Sequence, residues 1–267
     1  MTPLAQRYGS WAIVTGASDG TGREFARAIA AQGINCILVA RRHAPLEALA
    51  EEIHARNGVD CRTVTVDLST PRATDTIGAA AAGLEVGLLV INAGADPHGS
   101  RFLDKDAGAW LDLSQRNVTA TLECCHRFAR PMRERGRGGL LLVNSGACYG
   151  GGSFMAVYSA SKAFMLCLAE SLWAELRGDG VDVLTLVLGK TDTPAYRALL
   201  ARNSAPVPDQ MASPAEVAEV GLARLRDGPI YNWGQSNDVA GYAPNSPDAR
   251  RDRILMVDRF SRSTFGG

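Results

Sequence analysis

The sequence predicts a single α/β domain built on one doubly wound parallel sheet of seven strands, with helices on both faces. Three observations carry this. Short aliphatic runs alternate with longer stretches whose apolar residues recur every three or four positions. Several of the short runs lack polar alternation, as strands covered on both faces do. The first run also breaks into a glycine-rich turn, Gly16-Ala17-Ser18-Asp19-Gly20-Thr21-Gly22, that leads straight into a helical stretch.

In chain order the expected strands are Trp11–Thr15, Cys36–Ala40, Arg62–Asp67, Gly87–Asn92, Leu140–Ser145, Val181–Leu188 and Pro229–Trp233. Each is short and rich in β-branched or aliphatic residues. The helices read from three- and four-residue spacing are Gly22–Gln32, Leu46–Arg56, Trp110–Arg135, Ala156–Arg177 and Pro214–Leu225. The stretch Ala205–Ser213 carries Pro206 and Pro208 and is expected to be a loop, placed where a lid would sit. No repeat or linker divides the chain, so 1–267 reads as one domain. Its 238–267 tail, rich in Pro, Asn, Ser and Arg, is expected to cover the site or a neighbouring subunit, or to fray.

Composition excludes several classes. Hydrophobic residues make up 46% of the 267, enough for a full core. Lys+Arg and Asp+Glu both number 28, so no basic excess points to nucleic acid or an anionic membrane. No apolar run reaches the ~20 residues that span a bilayer, and the first ten residues hold no signal core, so a cytoplasmic protein is expected. The six cysteines show no C-x-x-C spacing and the four histidines are scattered. Neither a disulfide framework nor a metal site is expected.

The glycine turn fits a dinucleotide. Gly16 permits the tight turn, Gly20 lets backbone approach a pyrophosphate, and Gly22 lets the helix pack on the strand. The helix then offers free N–H groups and a positive dipole end to phosphate, with Ser18 and Thr21 beside it. A plain turn is the rival reading. A carboxylate at the end of the second strand would bind a ribose 2′-hydroxyl. Here the sequence is Val39-Ala40-Arg41-Arg42. Two guanidiniums suit a 2′-phosphate, so NADP(H) is the expected cofactor. Asp19 opposes that choice, and a solvated basic loop is the rival for Arg42 in particular.

The chain holds twenty-five arginines and three lysines, Lys105, Lys162 and Lys190. Lys162 follows Tyr158 by four residues, which at helical spacing places both on one face. Bringing a phenol from ~10 to ~7 takes about 4 kcal/mol, and a cation at ~4 Å supplies about that at an effective dielectric of ~20. The pair is therefore expected to form an acid and base usable near neutral pH.

These residues, in this order, resemble the short-chain dehydrogenase/reductase family in its compact single-domain branch, which implies a Rossmann fold. The resemblance runs from about Trp11 to Trp233. Thr15-Gly16-x-x-x-Gly20-x-Gly22 is similar to the family's cofactor turn, and Asp67-Leu68 to its adenine contact. Asn92-Ala93-Gly94 matches the family's brace beside the cofactor. Asn117, Ser145, Tyr158 and Lys162 fall where the family keeps its catalytic tetrad, and the thirteen-residue gap from Ser145 to Tyr158 is the usual one. Gly189, Thr191 and Thr193 match the loop that reaches the nicotinamide amide. One departure is Leu188, where the family has proline, which puts that loop's rigidity in question. Tyr8-Gly9-x-Trp11, Leu188-Gly189-x-Thr191-x-Thr193-Pro194 and Gly234-Gln235 also resemble some bacterial hydroxysteroid dehydrogenases that act on bile acids.

The resemblance implies roles that the chemistry supports. Tyr158 would be the acid in carbonyl reduction and the base in alcohol oxidation. Lys162 would tune it and hold the nicotinamide ribose, and Ser145 would hydrogen-bond the substrate oxygen. Asn117 would fix a water that feeds protons through Lys162. Each has a bland rival: Ser145 as a turn cap, Asn117 as a surface helix residue, Thr193 as the cap of a helix starting at Pro194. The pocket is expected from Ala95–His98, Ala147–Met155 and the chain from Pro194 onward. Gly150-Gly151-Gly152 beside Phe154, Met155, Tyr196 and Leu199 suggests room for a bulky hydrophobic ketone or alcohol; a glycine hinge is the alternative. Reduction of small, aryl or acyl carbonyls, an NADP-binding sensor and a sugar-nucleotide epimerase are the rival functions. Long apolar helices and the family likeness point to a homodimer or homotetramer.

Overall fold

The computed structural model describes residues 2–233 together with residues 256, 259, 260, 263 and 264. Gly234-Gln235 and most of the 238–267 tail lie outside the described residues. The elements run α1 (Pro3–Tyr8), β1 (Trp11–Thr15), α2 (Gly20–Ala30), β2 (Asn35–Ala40), α3 (His43–Asn57), β3 (Cys61–Thr65), α4 (Ala73–Ala80) and β4 (Val86–Ile91). They continue with α5 (Ala107–Ser114), α6 (Ala120–Glu134), β5 (Gly138–Ser145), α7 (Ala156–Leu176), β6 (Val181–Leu188), α8 (Pro194–Arg202), α9 (Pro214–Arg224) and β7 (Ile230–Trp233).

All seven strands pair in parallel in the order β3-β2-β1-β4-β5-β6-β7. The order reverses between β1 and β4, and the crevice beyond the carboxyl ends of those strands is where such sheets bind ligands. Side chains alternate across the sheet into two cores. Val14, Leu38 and Val90 pack under α2, α3 and α9 with Phe25, Leu46 and Val217. Ile13, Ile37 and Leu89 pack under α4, α6 and α7 with Ile77, Phe128 and Met165.

Three differences from the sequence reading have local causes. The helix α1 was not expected. It is six residues long, too short to show a period, and it is set by Thr2 capping Ala5 N and by Pro3 in the first turn. It is tied down by Asp182 on β6, whose carboxylate accepts Arg7 Nε at 2.6 Å, Arg7 Nη2 at 2.8 Å and the Tyr8 phenol at 2.8 Å. The helix α4 was missed as well; it is eight residues long and buries little beyond Ala73, Thr74 and Ile77. The expected helix Trp110–Arg135 is α5 and α6 separated by a π-helical turn over Gln115–Thr119, centred on Asn117. Such turns insert one residue into the ladder and re-aim a side chain.

Candidate active site

The switch point is braced by side chains. Thr15 Oγ1, at the end of β1, accepts from Asn92 N at 3.0 Å and Ala93 N at 3.1 Å, and Asn92 Nδ2 donates to Thr15 O at 3.2 Å. The glycine turn lies against this brace. A Cβ on Gly22 would stand 2.2 Å from Gly16 O and 2.6 Å from Asn92 Nδ2, so only glycine lets α2 start this close to β1. Gly16 has φ +71°, a conformation side chains resist. Asp19 caps α2 by accepting from Gly20 N at 2.8 Å, while the backbone of Thr21 and Gly22 follows in the first turn. A bare turn at a helix N-terminus fits a pyrophosphate.

At the end of β2, Arg42 Nη2 lies 3.4 Å from Ser18 Oγ and 3.1 Å from Asp19 Oδ2. The Arg41 guanidinium stands 4.0 Å from Asp67 Oδ2. Both arginine side chains are more than half exposed, so both can turn to an anion. Asp19, noted above as opposing phosphate, forms an ion pair with Arg42 and offsets part of its charge. Asp67 accepts from Ser69 N at 2.9 Å and Ser69 Oγ at 2.8 Å. Burial pushes its pKa up, but those bonds and the charges of Arg116 and Arg41 together hold it below the usual carboxylate range. Leu68 beside it is buried.

The loop after β6 closes the other side. Gly189 N donates to Trp233 O at 3.0 Å, and Asp192 N and Ala212 N exchange bonds with Ala212 O and Lys190 O, both at 2.9 Å. Thr191 bridges Ala212 in the same ladder. These backbone bonds fix the loop where the family's proline is replaced by Leu188. Thr193 caps α8 by accepting from Tyr196 N at 3.1 Å, with Pro194 in the first turn. A Cβ on Gly20 would meet Thr193 Cγ2 at 3.1 Å, so this loop touches the glycine turn. The far end of α8 reaches across the crevice, where Arg202 Nη1 donates to Pro97 O at 3.3 Å.

Between these walls lie the four residues singled out for chemistry. Ser145, at the end of β5, accepts from Ala147 N at 3.3 Å, and its hydroxyl acts on Tyr158 to lower that phenol's pKa. It therefore caps its turn and faces the phenol at once. Tyr158 and Lys162 sit on α7 with Lys162 Nζ 5.8 Å from the centre of the tyrosine ring. Lys162 is 4% exposed and donates to Val143 O at 3.1 Å. Burial lowers its pKa to about 8. Burial also raises the Tyr158 phenol, Ser145 pulls it down, and the charge of Asp96 adds to the rise. In the protein alone the ammonium therefore does not overcome burial at the phenol, whereas the sequence reading expected it to.

Asn117 is fully buried, not on the surface. Its Nδ2 donates to Gly94 O at 3.3 Å and Ser161 Oγ at 3.1 Å, and its Oδ1 is buried with no partner. A Cβ on Gly94 (φ +153°) would stand 3.2 Å from Lys162 Nζ and 3.3 Å from Asn117 Oδ1. The bare Gly94 thus opens a small polar cradle between a buried ammonium and an orphaned carbonyl. That donor and acceptor suit a hydroxyl or a water placed between them.

Sequence reasoning missed three neighbours, Asn144, Ser161 and Arg116. Asn144 donates to Lys162 O at 3.1 Å and accepts from Ser145 N at 2.8 Å, so one amide sets both residues. Ser161 joins Asn117 to Tyr158 O, to which it donates at 2.7 Å. Arg116, and Asp96 from the expected pocket stretch Ala95–His98, each have a buried side-chain atom without a hydrogen-bond partner. Only adjacency hinted at Asn144 and Ser161, which precede Ser145 and Lys162 directly. Of the expected pocket residues, Ala147, Phe154 and Met155 are buried, with Phe154 held at φ +66°. Tyr196 presents a buried hydroxyl with no partner on α8.

Comparison with known proteins places the chain in a family. The sequence profile described as short chain dehydrogenase matches residues 10–203. A 7β-hydroxysteroid dehydrogenase of Collinsella aerofaciens is 34% identical over 192 residues, 72% of this chain and 73% of that protein. A very-long-chain 3-oxoacyl-CoA reductase-like protein of Arabidopsis thaliana is 33% identical over 249 residues, 90% of this chain and 79% of its own length. The structure of a short-chain dehydrogenase from Sphingobium yanoikuyae in complex with NADPH superposes with a TM-score of 0.79 at 26% identity, covering 93% of this chain and 96% of that one. The chain therefore belongs to the short-chain dehydrogenase/reductase family, whose oxidoreductases use a nicotinamide cofactor.

Proposed function

We propose that the protein is an NADP(H)-dependent oxidoreductase that interconverts a bulky hydrophobic, steroid-like ketone and its secondary alcohol. One observation carries this: Ser145, Tyr158, Lys162 and Asn117 converge beside the glycine turn at the carboxyl end of the sheet, linked by Asn144 and Ser161. The cofactor supplies the hydride. Gly16, Ser18, Gly20, Thr21 and Gly22 hold the pyrophosphate end, Asp67 and Leu68 the adenine, and Asn92, Ala93 and Gly94 the nicotinamide ribose. Gly189, Thr191 and Thr193 reach the amide. Arg41 and Arg42 select the 2′-phosphate, in keeping with the NADPH-bound relative.

Ser145 orients the substrate oxygen, and Tyr158 exchanges a proton with it. A phenol raised by burial is protonated near neutral pH, which suits it to donate to a carbonyl. Lys162 binds the ribose and, with Asn117 Oδ1, positions a water that re-protonates the phenol. The bulky-substrate reading draws on the hydroxysteroid relative and on the glycine run beside Phe154 and Met155. Acyl carbonyls are the second reading, favoured by the 3-oxoacyl-CoA reductase relative, which matches more of this chain. Six free thiols suit a reducing, cytoplasmic compartment.

A panel of steroid, aryl, acyl and short aliphatic ketones, each with NADPH and NADH, tests this. Steroid turnover with NADPH preferred at least about tenfold is expected, and Arg41→Ala with Arg42→Ala should erase that preference. Turnover confined to small aliphatic ketones, or an NADH preference, would overturn it.

A further inference from the structure

Strand β5 outruns its neighbour β4. Their ladder ends where Leu142 faces Ile91, whereas the ladder with β6 continues to Ser145 opposite Leu188. Over Val143–Ser145 the strand is paired with β6 alone, and α7 is bonded to it there instead. Lys162 Nζ donates to Val143 O at 3.1 Å. Asn144 Nδ2 donates to Lys162 O at 3.1 Å, and Asn144 Oδ1 accepts from Ser145 N at 2.8 Å. Turning the amide over would set oxygen against the Lys162 carbonyl and N–H against N–H, so its orientation is fixed by its partners. Asn144 is 3% exposed and follows Leu140, Leu141, Leu142 and Val143. A buried amide costs stability unless it is bonded, and an aliphatic side chain would serve packing alone. Beyond Ser145 the chain enters a short turn, Gly146–Tyr149, and the glycine run 150–152, which restrain the strand end little.

We propose that Asn144 is a positioning residue, which hangs Ser145 from the Lys162 carbonyl and so sets the serine hydroxyl against Tyr158. This rests on the proposed ketone reduction for the role of Ser145; the two amide bonds stand independently of it. Ser145 and Tyr158 must meet on one substrate oxygen, yet they come from different elements. A misplacement of ~1 Å at such a site costs about a hundredfold in rate. Lys162 O is a good fixed point, because it lies inside the long helix α7 that also carries Tyr158. With its N–H held by Asn144 and its Oγ accepting from Ala147 N, Ser145 has only its hydroxyl proton left to offer the substrate.

The test is a double-mutant cycle of Asn144→Leu and Ser145→Ala. It reads kcat and KM with NADPH on the ketone that the wild type reduces fastest, and NADPH affinity by calorimetry. Asn144→Leu is expected to lower kcat by at least about tenfold while NADPH affinity stays within about threefold of wild type. On top of Ser145→Ala, the same change should cost less than about threefold, because the group it orients is already gone. Asn144→Ser, too short to reach Lys162 O, runs in the same cycle and should show the same pattern, which keeps the test intact if leucine disrupts folding. An equal factor in both backgrounds, or an unimpaired Asn144→Leu beside an inactive Ser145→Ala, would overturn this proposal alone. Wild-type turnover by Ser145→Ala would overturn the role given to Ser145 in the proposed function, and this proposal with it.

Discussion

Burial of the Lys162 ammonium, with Val143 O accepting one of its protons, sets a conflict between folding and chemistry at one residue. Its pKa falls to about 8 from an unfolded value of 10.5. Below about pH 8 both states are charged and the folded state carries the full burial penalty. Between about pH 8 and 10.5 the unfolded chain binds a proton that the folded chain has released, so stability rises with pH. Lys162→Met should therefore stabilise the cofactor-free protein at pH 7, by about 1–3 kcal/mol at most, and flatten that rise. Thermal melts at pH 7 and about pH 10 check it; a destabilised variant at pH 7 would show that the ammonium is well solvated. Turnover should be lost in either case. Tyr158 and Lys162 were legible from spacing alone because both lie on one helix face. Asn144 and Arg116 were not, because the groups they act on belong to other elements.

Element by element, what could be read from the chain follows from length and period. The strands have nearly the expected bounds because their aliphatic runs are uninterrupted. The helix α1 is too short to show a period, and its anchor Asp182 lies far along the chain. The π-helical turn at Asn117 was hidden inside a continuous apolar pattern. The energy that fixes it comes from bonds to Gly94 O and Ser161 Oγ, which no local pattern encodes. The glycine turn is the element where sequence and packing agree most closely. Gly22→Ala forces a Cβ to 2.2 Å from Gly16 O, so α2 must move off β1. That variant is expected to lose about 1–3 kcal/mol of stability and most of its NADPH affinity, read by denaturant unfolding and calorimetry. Unchanged affinity would mean that the turn does not hold the phosphates.

For the molecule as a whole, the doubly wound sheet was legible because alternation of short and long apolar segments leaves few topologies. The quaternary state was read only as an expectation. Leu111 on α5 is 68% exposed and Leu122 on α6 is 46% exposed, large apolar side chains that a second copy would cover. We propose a homodimer or homotetramer that buries them. Light scattering at micromolar concentration should show such a species, and a monomer throughout would contradict it. Among the described residues no helix is long and apolar enough to cross a membrane.

The proton-transfer role of the Tyr158 hydroxyl, beside Ser145 and above Lys162, holds the functional reading together. Its most direct test is Tyr158→Phe, with NADPH consumption measured on a ketone the wild type reduces and NADPH affinity measured by calorimetry. The loss of one hydroxyl is expected to lower turnover by at least about a hundredfold while the affinity stays within about threefold of wild type. Turnover retained at the wild-type level would contradict the account.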